Sequence, residues 1–224
     1  MAPEQLLDAL HARFGPRKDL WVFGYASLIW RPEFHAVEQR TALVRGWHRA
    51  LRMRSNVNRG TPERPGLVFA LLPGGACLGE VYRLRADAAA AELQRLWQRE
   101  MVTGVYTPRW LPCRTPQGVV PALSFTLSRR SEAYLGRLPD PQVLDILRHA
   151  HGRYGSTLDY LVQTALALRE RRIRDREIER LMALASGAGL LQPLAARSRA
   201  SARSSAVSTS NSTPASSTST PKAG

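Results

Sequence analysis

Glu100 is the residue of this chain whose surroundings most single it out for chemistry. The stretch ADAAAAELQRLWQREM spaces Leu93, Leu96, Trp97 and Glu100 at i, i+3, i+4 and i+7, so in a helix the carboxylate falls on the apolar stripe. A carboxylate there loses hydration, and the carbonyl end of its helix disfavours negative charge. Both effects raise its pKa toward the range useful for proton transfer. The same spacing is met without any catalytic role if the helix frays before Glu100 or if an arginine pairs with it.

The second candidate is FGYASLIW, an apolar strand running into a turn of small residues and then another apolar pair. A turn of this kind can aim several backbone N–H groups at one point, where they would hold a carboxylate or an oxyanion. It can equally be a plain strand-to-loop corner. Ser27 within it invites comparison with a hydrolase nucleophile served by His48 or His35, but a nucleophile elbow needs G-x-S-x-G and YASLI lacks both glycines. His48, between Trp47 and Arg49, reads as structural. Tyr25 and Tyr106 are candidate pocket residues, although a tyrosine in a sheet often only packs and hydrogen-bonds. Cys77 and Cys113 are the only cysteines and have no C-x-x-C spacing, which fits two reduced thiols rather than a disulfide framework.

The elements that must position these residues are strands first and helices last. An amphipathic segment from Pro3 to Phe14 precedes the strand LWVFGY. Further strands are expected at TALVRGWHRALRMR, GLVFALL, CLGEVYRL, WLPCRT and VVPALSFTLS, separated by Pro- and Gly-containing turns such as Pro73, Gly74 and Gly75. The Glu100 helix is inserted among them. Helices are predicted from Asp140 to His151, Ser156 to Glu170 and Asp175 to Ala185, with RERRIRDREIER as a solvated charged face. This order predicts an α+β domain built on a curled or closed sheet.

Forty-four per cent hydrophobic residues in 224 suffice for one domain with a core. No apolar run approaches the roughly 18 residues of a membrane helix, and the N-terminus has no secretory pattern, so the expected setting is the cytoplasm. The net charge of +14 raises nucleic acid as a partner. The charge is almost all arginine spread along the chain, however, and no zinc-finger, recognition-helix or RNA-binding motif accompanies it. Residues 1–190 are expected to form the domain. Residues 191–224, rich in Ser, Thr, Ala and Pro, read as a disordered tail, either a charge-based tether or a dispensable extension.

WVFGYASLIW, GWHRAL, RGT with PGLVFALL, GGACLGEVYRL and LWQREMVTGVYTPRW occur in that order, with GSTLDYL following more weakly. In these motifs the chain resembles the ChaC-type, glutathione-specific γ-glutamylcyclotransferases. The resemblance implies a small mixed β-barrel surrounded by helices, no metal and no cofactor, and the tripeptide glutathione as substrate. It further implies a substrate loop at Gly24, Tyr25, Ala26, Ser27, Leu28 and Ile29, with Glu100 as the acid/base. One position departs from the family's YGSL: Ala26 stands where the family has glycine. A positive φ there would strain alanine, whereas an extended backbone would accept it.

Overall fold

The computed structural model describes Gln5, Leu10 and residues 18–191. Gln5 and Leu10 are helical. The rest of the predicted Pro3 to Phe14 segment, and the expected tail beyond residue 191, lie outside the described residues.

Five strands close into a barrel in the order β1-β3-β2-β4-β5, where β1 is Leu20–Gly24, β2 Glu38–Ser55, β3 Gly66–Leu84, β4 Tyr106–Thr115 and β5 Gly118–Leu127. Neighbours are antiparallel except at the closure, where β1 runs parallel to β5 with Val22 opposite Leu123. The barrel is surrounded by α1 (Ser27–Trp30), α2 (Ala89–Glu100), α3 (Asp140–His149), α4 (Thr157–Glu170) and α5 (Arg176–Gly187). A two-rung hairpin, β6 (His151–Gly152) and β7 (Gly155–Ser156), sits between α3 and α4.

The expected turn at Pro73, Gly74 and Gly75 is corrected. GLVFALL and CLGEVYRL are one strand, β3, paired with β2 from Gly66 to Arg83 on both sides of a bulge at Gly74 and Gly75. Gly74 and Gly75 take φ of 102° and 74°, and across the ladder Gly46 takes 80° where the register shifts between Arg45 and Trp47. The glycines therefore bend a long hairpin around the barrel instead of reversing the chain. The reversal falls at residues 56–65, between β2 and β3.

Helix boundaries follow local capping chemistry. Ser156 Oγ accepts the Asp159 N–H at 3.0 Å, and Asp175 Oδ1 accepts the Ile178 N–H at 3.1 Å. The stretch RERRIRDREIER is more than a solvated face. The chain breaks between α4 and α5, Ile173 is buried, and Arg171 donates to Ile29 O at 2.9 Å.

Candidate active site

Glu100 is carried by α2, and packing fixes the pose of that helix. Leu93, Leu96 and Trp97 are all at most 5% exposed and join Leu20, Val22, Leu84, Leu123 and Phe125 in one core cluster, with the Trp97 and Phe125 ring centroids 6.4 Å apart. Each such side chain contributes about 1.5–3 kcal/mol on burial. Glu100, one turn beyond Trp97, is the last helical residue. Met101 closes the helix, its N–H bonding Trp97 O, and Gly104 at φ 65° turns the chain into β4. The helix does not fray before Glu100, but an arginine does pair with it: Arg99 Nε lies 3.1 Å from Glu100 Oε1.

The Glu100 side chain is 15% exposed, and burial pushes its carboxyl above the ordinary value. Arg99 pulls it back down and Glu33 adds to the rise. Other carboxylates are more deeply buried but otherwise engaged. Glu80 accepts from Gln39 and Thr41, and Glu92 pairs with Arg95. Neither lines the cavity that Glu100 lines.

That cavity, of about 290 Å³, stands near the lower end of small-molecule sites. Its wall includes Arg31, Arg54, Arg59, Arg99 and Arg153. A narrower inner pocket is lined by Tyr25, Ala26, Ser27, Leu28, Glu100, Tyr106 and Tyr160, among others. The structure therefore brings four of the six expected loop residues to the carboxylate. Gly24 lies beneath them at the end of β1; a Cβ there would meet Leu28 Cβ at 2.9 Å and the Tyr82 ring at 3.2 Å. Ile29 turns its side chain into the core at 2% exposure.

The loop is pinned at both ends by arginines. Arg49, buried at 3% exposure, donates to the carbonyl of Tyr25 and forms an ion pair with Asp175 at 2.9 Å, while Arg171 holds the carbonyl of Ile29. In a trans peptide the N–H points opposite the C=O, so fastening the Tyr25 carbonyl turns the Ala26 N–H the other way. The turn's own bonds use the N–H of Ile29, to Ala26 O, and that of Arg31, to Ser27 O. The earlier N–H groups have no intrahelical acceptor, as at the start of any helical turn. Ala26 has φ of −145°, so alanine replaces glycine there without left-handed strain. Ser27 Oγ accepts from Arg99 at 3.2 Å. His48 Nδ1 is 2.9 Å from Gly74 O, and the residue does not line the cavity.

Burial raises the phenols of Tyr25, Tyr106 and Tyr160, with Glu100 adding to each, so all three are neutral at pH 7. The Tyr25 hydroxyl donates to Phe125 O at 3.0 Å across the barrel closure. Sequence reasoning assigned no role to Arg59, Arg99 or Tyr160. Arg59 and Tyr160 lie within the quoted motifs RGT and GSTLDYL, but no periodicity marks them as facing Glu100. Among the described residues no group of three or more His, Cys, Asp or Glu side chains is arranged to hold a metal ion.

The site thus joins a largely buried carboxylate, Glu100, and the more exposed Glu33 to a strand-to-helix loop in an arginine-walled cavity on a closed barrel, a charge pattern suited to a small anionic ligand. The family model described as ChaC-like protein matches residues 20–187, and the chain belongs to the ChaC-like family. It is 36% identical to the glutathione-specific gamma-glutamylcyclotransferase of Escherichia coli (strain K12) over 162 residues, covering 70% of each chain. To glutathione-specific gamma-glutamylcyclotransferase 1 of Homo sapiens it is 31% identical, over 67% of this chain and 72% of that one. The crystal structure of the γ-glutamyl cyclotransferase specific to glutathione from yeast superimposes with a TM-score of 0.69 at 21% identity. It covers 75% of this chain and 96% of that one, a likeness of fold.

Proposed function

We propose that this chain cleaves glutathione by cyclising its γ-glutamyl group, releasing 5-oxoproline and Cys-Gly, with Glu100 as the acid/base. The observation that carries the role of Glu100 is its position: a carboxyl raised by burial, on the same inner pocket as the loop residues Tyr25 to Leu28. The identity of the curated relatives supports the substrate.

The reaction needs no outside nucleophile. The substrate's α-ammonium gives a proton to Glu100, and the freed amine attacks the γ-carbonyl carbon to close a five-membered ring. The bond from that carbon to the cysteinyl nitrogen then breaks. In becoming a lactam N–H the ammonium sheds two protons, and the departing nitrogen gains two in becoming an ammonium, so no water is consumed. Glu100 carries protons between them. Spare N–H groups of the 26–28 turn face the developing oxyanion or the γ-glutamyl carboxylate, and the pinned loop holds the chain in the folded geometry that ring closure requires.

No helix among the described residues is long and apolar enough to cross a membrane. A cytoplasmic setting belongs to this reading, supported by the two buried free thiols of Cys77 and Cys113. The test is incubation of the purified protein with glutathione and, separately, with γ-glutamyl-alanine, following 5-oxoproline and Cys-Gly by mass spectrometry. Both products from glutathione are expected. Release of 5-oxoproline from γ-glutamyl-alanine alone would move the assignment to another γ-glutamyl substrate.

A further inference from the structure

We propose that Arg59 reads the terminal carboxylate of the substrate's leaving dipeptide and so selects γ-glutamyl dipeptides over γ-glutamyl amines. This inference rests on the γ-glutamyl reading of the site. Arg59 is a charged residue only 6% exposed, on the wall of the outer cavity. Its guanidinium stands 5.1 Å from the centroid of the Tyr160 ring and 5.8 Å from that of Trp30, and Nη1 donates to the carbonyl of Tyr154 at 2.5 Å.

Its backbone is equally fixed. The N–H goes to Ser55 Oγ at 3.0 Å and the carbonyl accepts Thr157 Oγ1 at 3.2 Å. A Cβ on Gly155 would come within 3.2 Å of Nη1, so the absence of a side chain there leaves the guanidinium its place.

Of the other arginines on this wall, Arg54 and Arg153 are exposed to solvent, and the two nearest Glu100 are already matched. Arg31 pairs with Glu33 at 2.5 Å, and Arg99 pairs with both Glu33 and Glu100 at 3.1 Å. Asp159 attracts Arg59 from the cap of α4, where it also accepts from the Ser156 hydroxyl. One N–H of Arg59 is given to Tyr154 O, and the guanidinium, with Asp159 on one side and the Tyr160 and Trp30 rings beside it, also lines the cavity. A withdrawn, planar, multi-donor cation on a cavity wall is matched by a carboxylate, which it can hold through two parallel hydrogen bonds.

The direction of the substrate decides which carboxylate. Ring closure puts the γ-glutamyl group, with its own α-carboxylate, beside Glu100 and the 25–28 loop, at the end of the larger cavity where Ser27, Glu100 and Tyr106 also border the small pocket. Arg59 does not line that pocket; it lines the outer one. From the Glu100 end the leaving Cys-Gly runs along the larger cavity toward the wall that Arg59 lines, and it ends in a carboxylate. A γ-glutamyl amine has no such group to offer.

The experiment compares kcat/KM for glutathione and for glutathione whose C-terminal carboxylate has been converted to the carboxamide, in the wild type, Arg59→Met and Arg59→Lys. Folding of each is checked by circular dichroism and thermal melting. The wild type is expected to favour the acid on the order of tenfold to a hundredfold, the range of a charge-assisted pair. Arg59→Met is expected to bring that ratio close to one, and Arg59→Lys to leave an intermediate preference. A purely structural role lowers both substrates together and leaves the ratio unchanged, which overturns the inference. A wild type that does not distinguish acid from amide overturns it as well. Failure of the wild type to release 5-oxoproline from glutathione at all removes the proposed function first, and this inference with it.

Discussion

Glu100→Gln is the most direct perturbation of the site. Glutamine keeps the shape of the side chain and an oxygen for Arg99, and the helix that carries it is anchored by Leu93, Leu96 and Trp97, so the fold is expected to stand. What is lost is the ability to take and return protons. General acid/base catalysis contributes roughly 10²–10⁴ in rate, or about 3–5 kcal/mol of barrier, and in the proposed reaction Glu100 serves both proton transfers, so kcat should fall by at least the larger part of that range. The assay is 5-oxoproline and Cys-Gly release at saturating glutathione, read beside a thermal melt.

The same variant has a stability signature. Because burial raises the Glu100 carboxyl, the folded state holds its proton to higher pH than the unfolded state does. Stability therefore falls as pH rises from the ordinary carboxylate value through the raised one. Above that window the ionised side chain costs the fold some stability, which Glu100→Gln removes. The variant should melt at the same temperature as the wild type or slightly higher at neutral pH. A folded variant keeping more than a tenth of wild-type kcat would refute the acid/base assignment. A large fall in melting temperature would refute the account of Glu100 as a withdrawn, destabilised anion.

Arg99 holds the Glu100 pKa down, so Arg99→Gln should move the acid limb of the kcat/KM profile to higher pH; an unmoved limb would detach that limb from Glu100. Asp175→Ala strands the fully buried Arg49 guanidinium and removes the α5 cap. It should cost about 3–5 kcal/mol in denaturant unfolding and reduce turnover through the Tyr25 carbonyl. Gly24→Ala places a methyl against Leu28 and Tyr82 and should lower both stability, by about 1–3 kcal/mol, and kcat/KM. Ala26→Gly removes no left-handed strain, because φ is negative at −145°, and should change stability by no more than about 1 kcal/mol in chemical denaturation.

Much of this molecule is written in short-range pattern. The apolar spacing of Leu93, Leu96 and Trp97 sets the face of α2 and puts Glu100 on it, and Ser156 and Asp175 mark the starts of α4 and α5 through bonds to residues three positions on. The motifs between Trp21 and Trp110 mark the 24–29 loop and Glu100 as candidates through their resemblance to the family. These are local relations, and the chain states them wherever hydrophobic period and capping chemistry act over a turn or two.

The rest depends on closure of the barrel. Pro73, Gly74 and Gly75 have the composition of a turn, yet they bend one strand, because β2 continues on the other side of the ladder and its pairing outweighs local preference. Tyr25 reaches Phe125 across 100 positions, and Arg49 reaches Asp175 across 126. Arg59 meets Tyr160 only where the β2–β3 loop docks against the start of α4. No local period encodes those meetings. They arise because β1 closes on β5 and the helices pack around the closed sheet. That closure turned an amphipathic helix ending in glutamate into one wall of a site, and gave Arg59 a cavity to face.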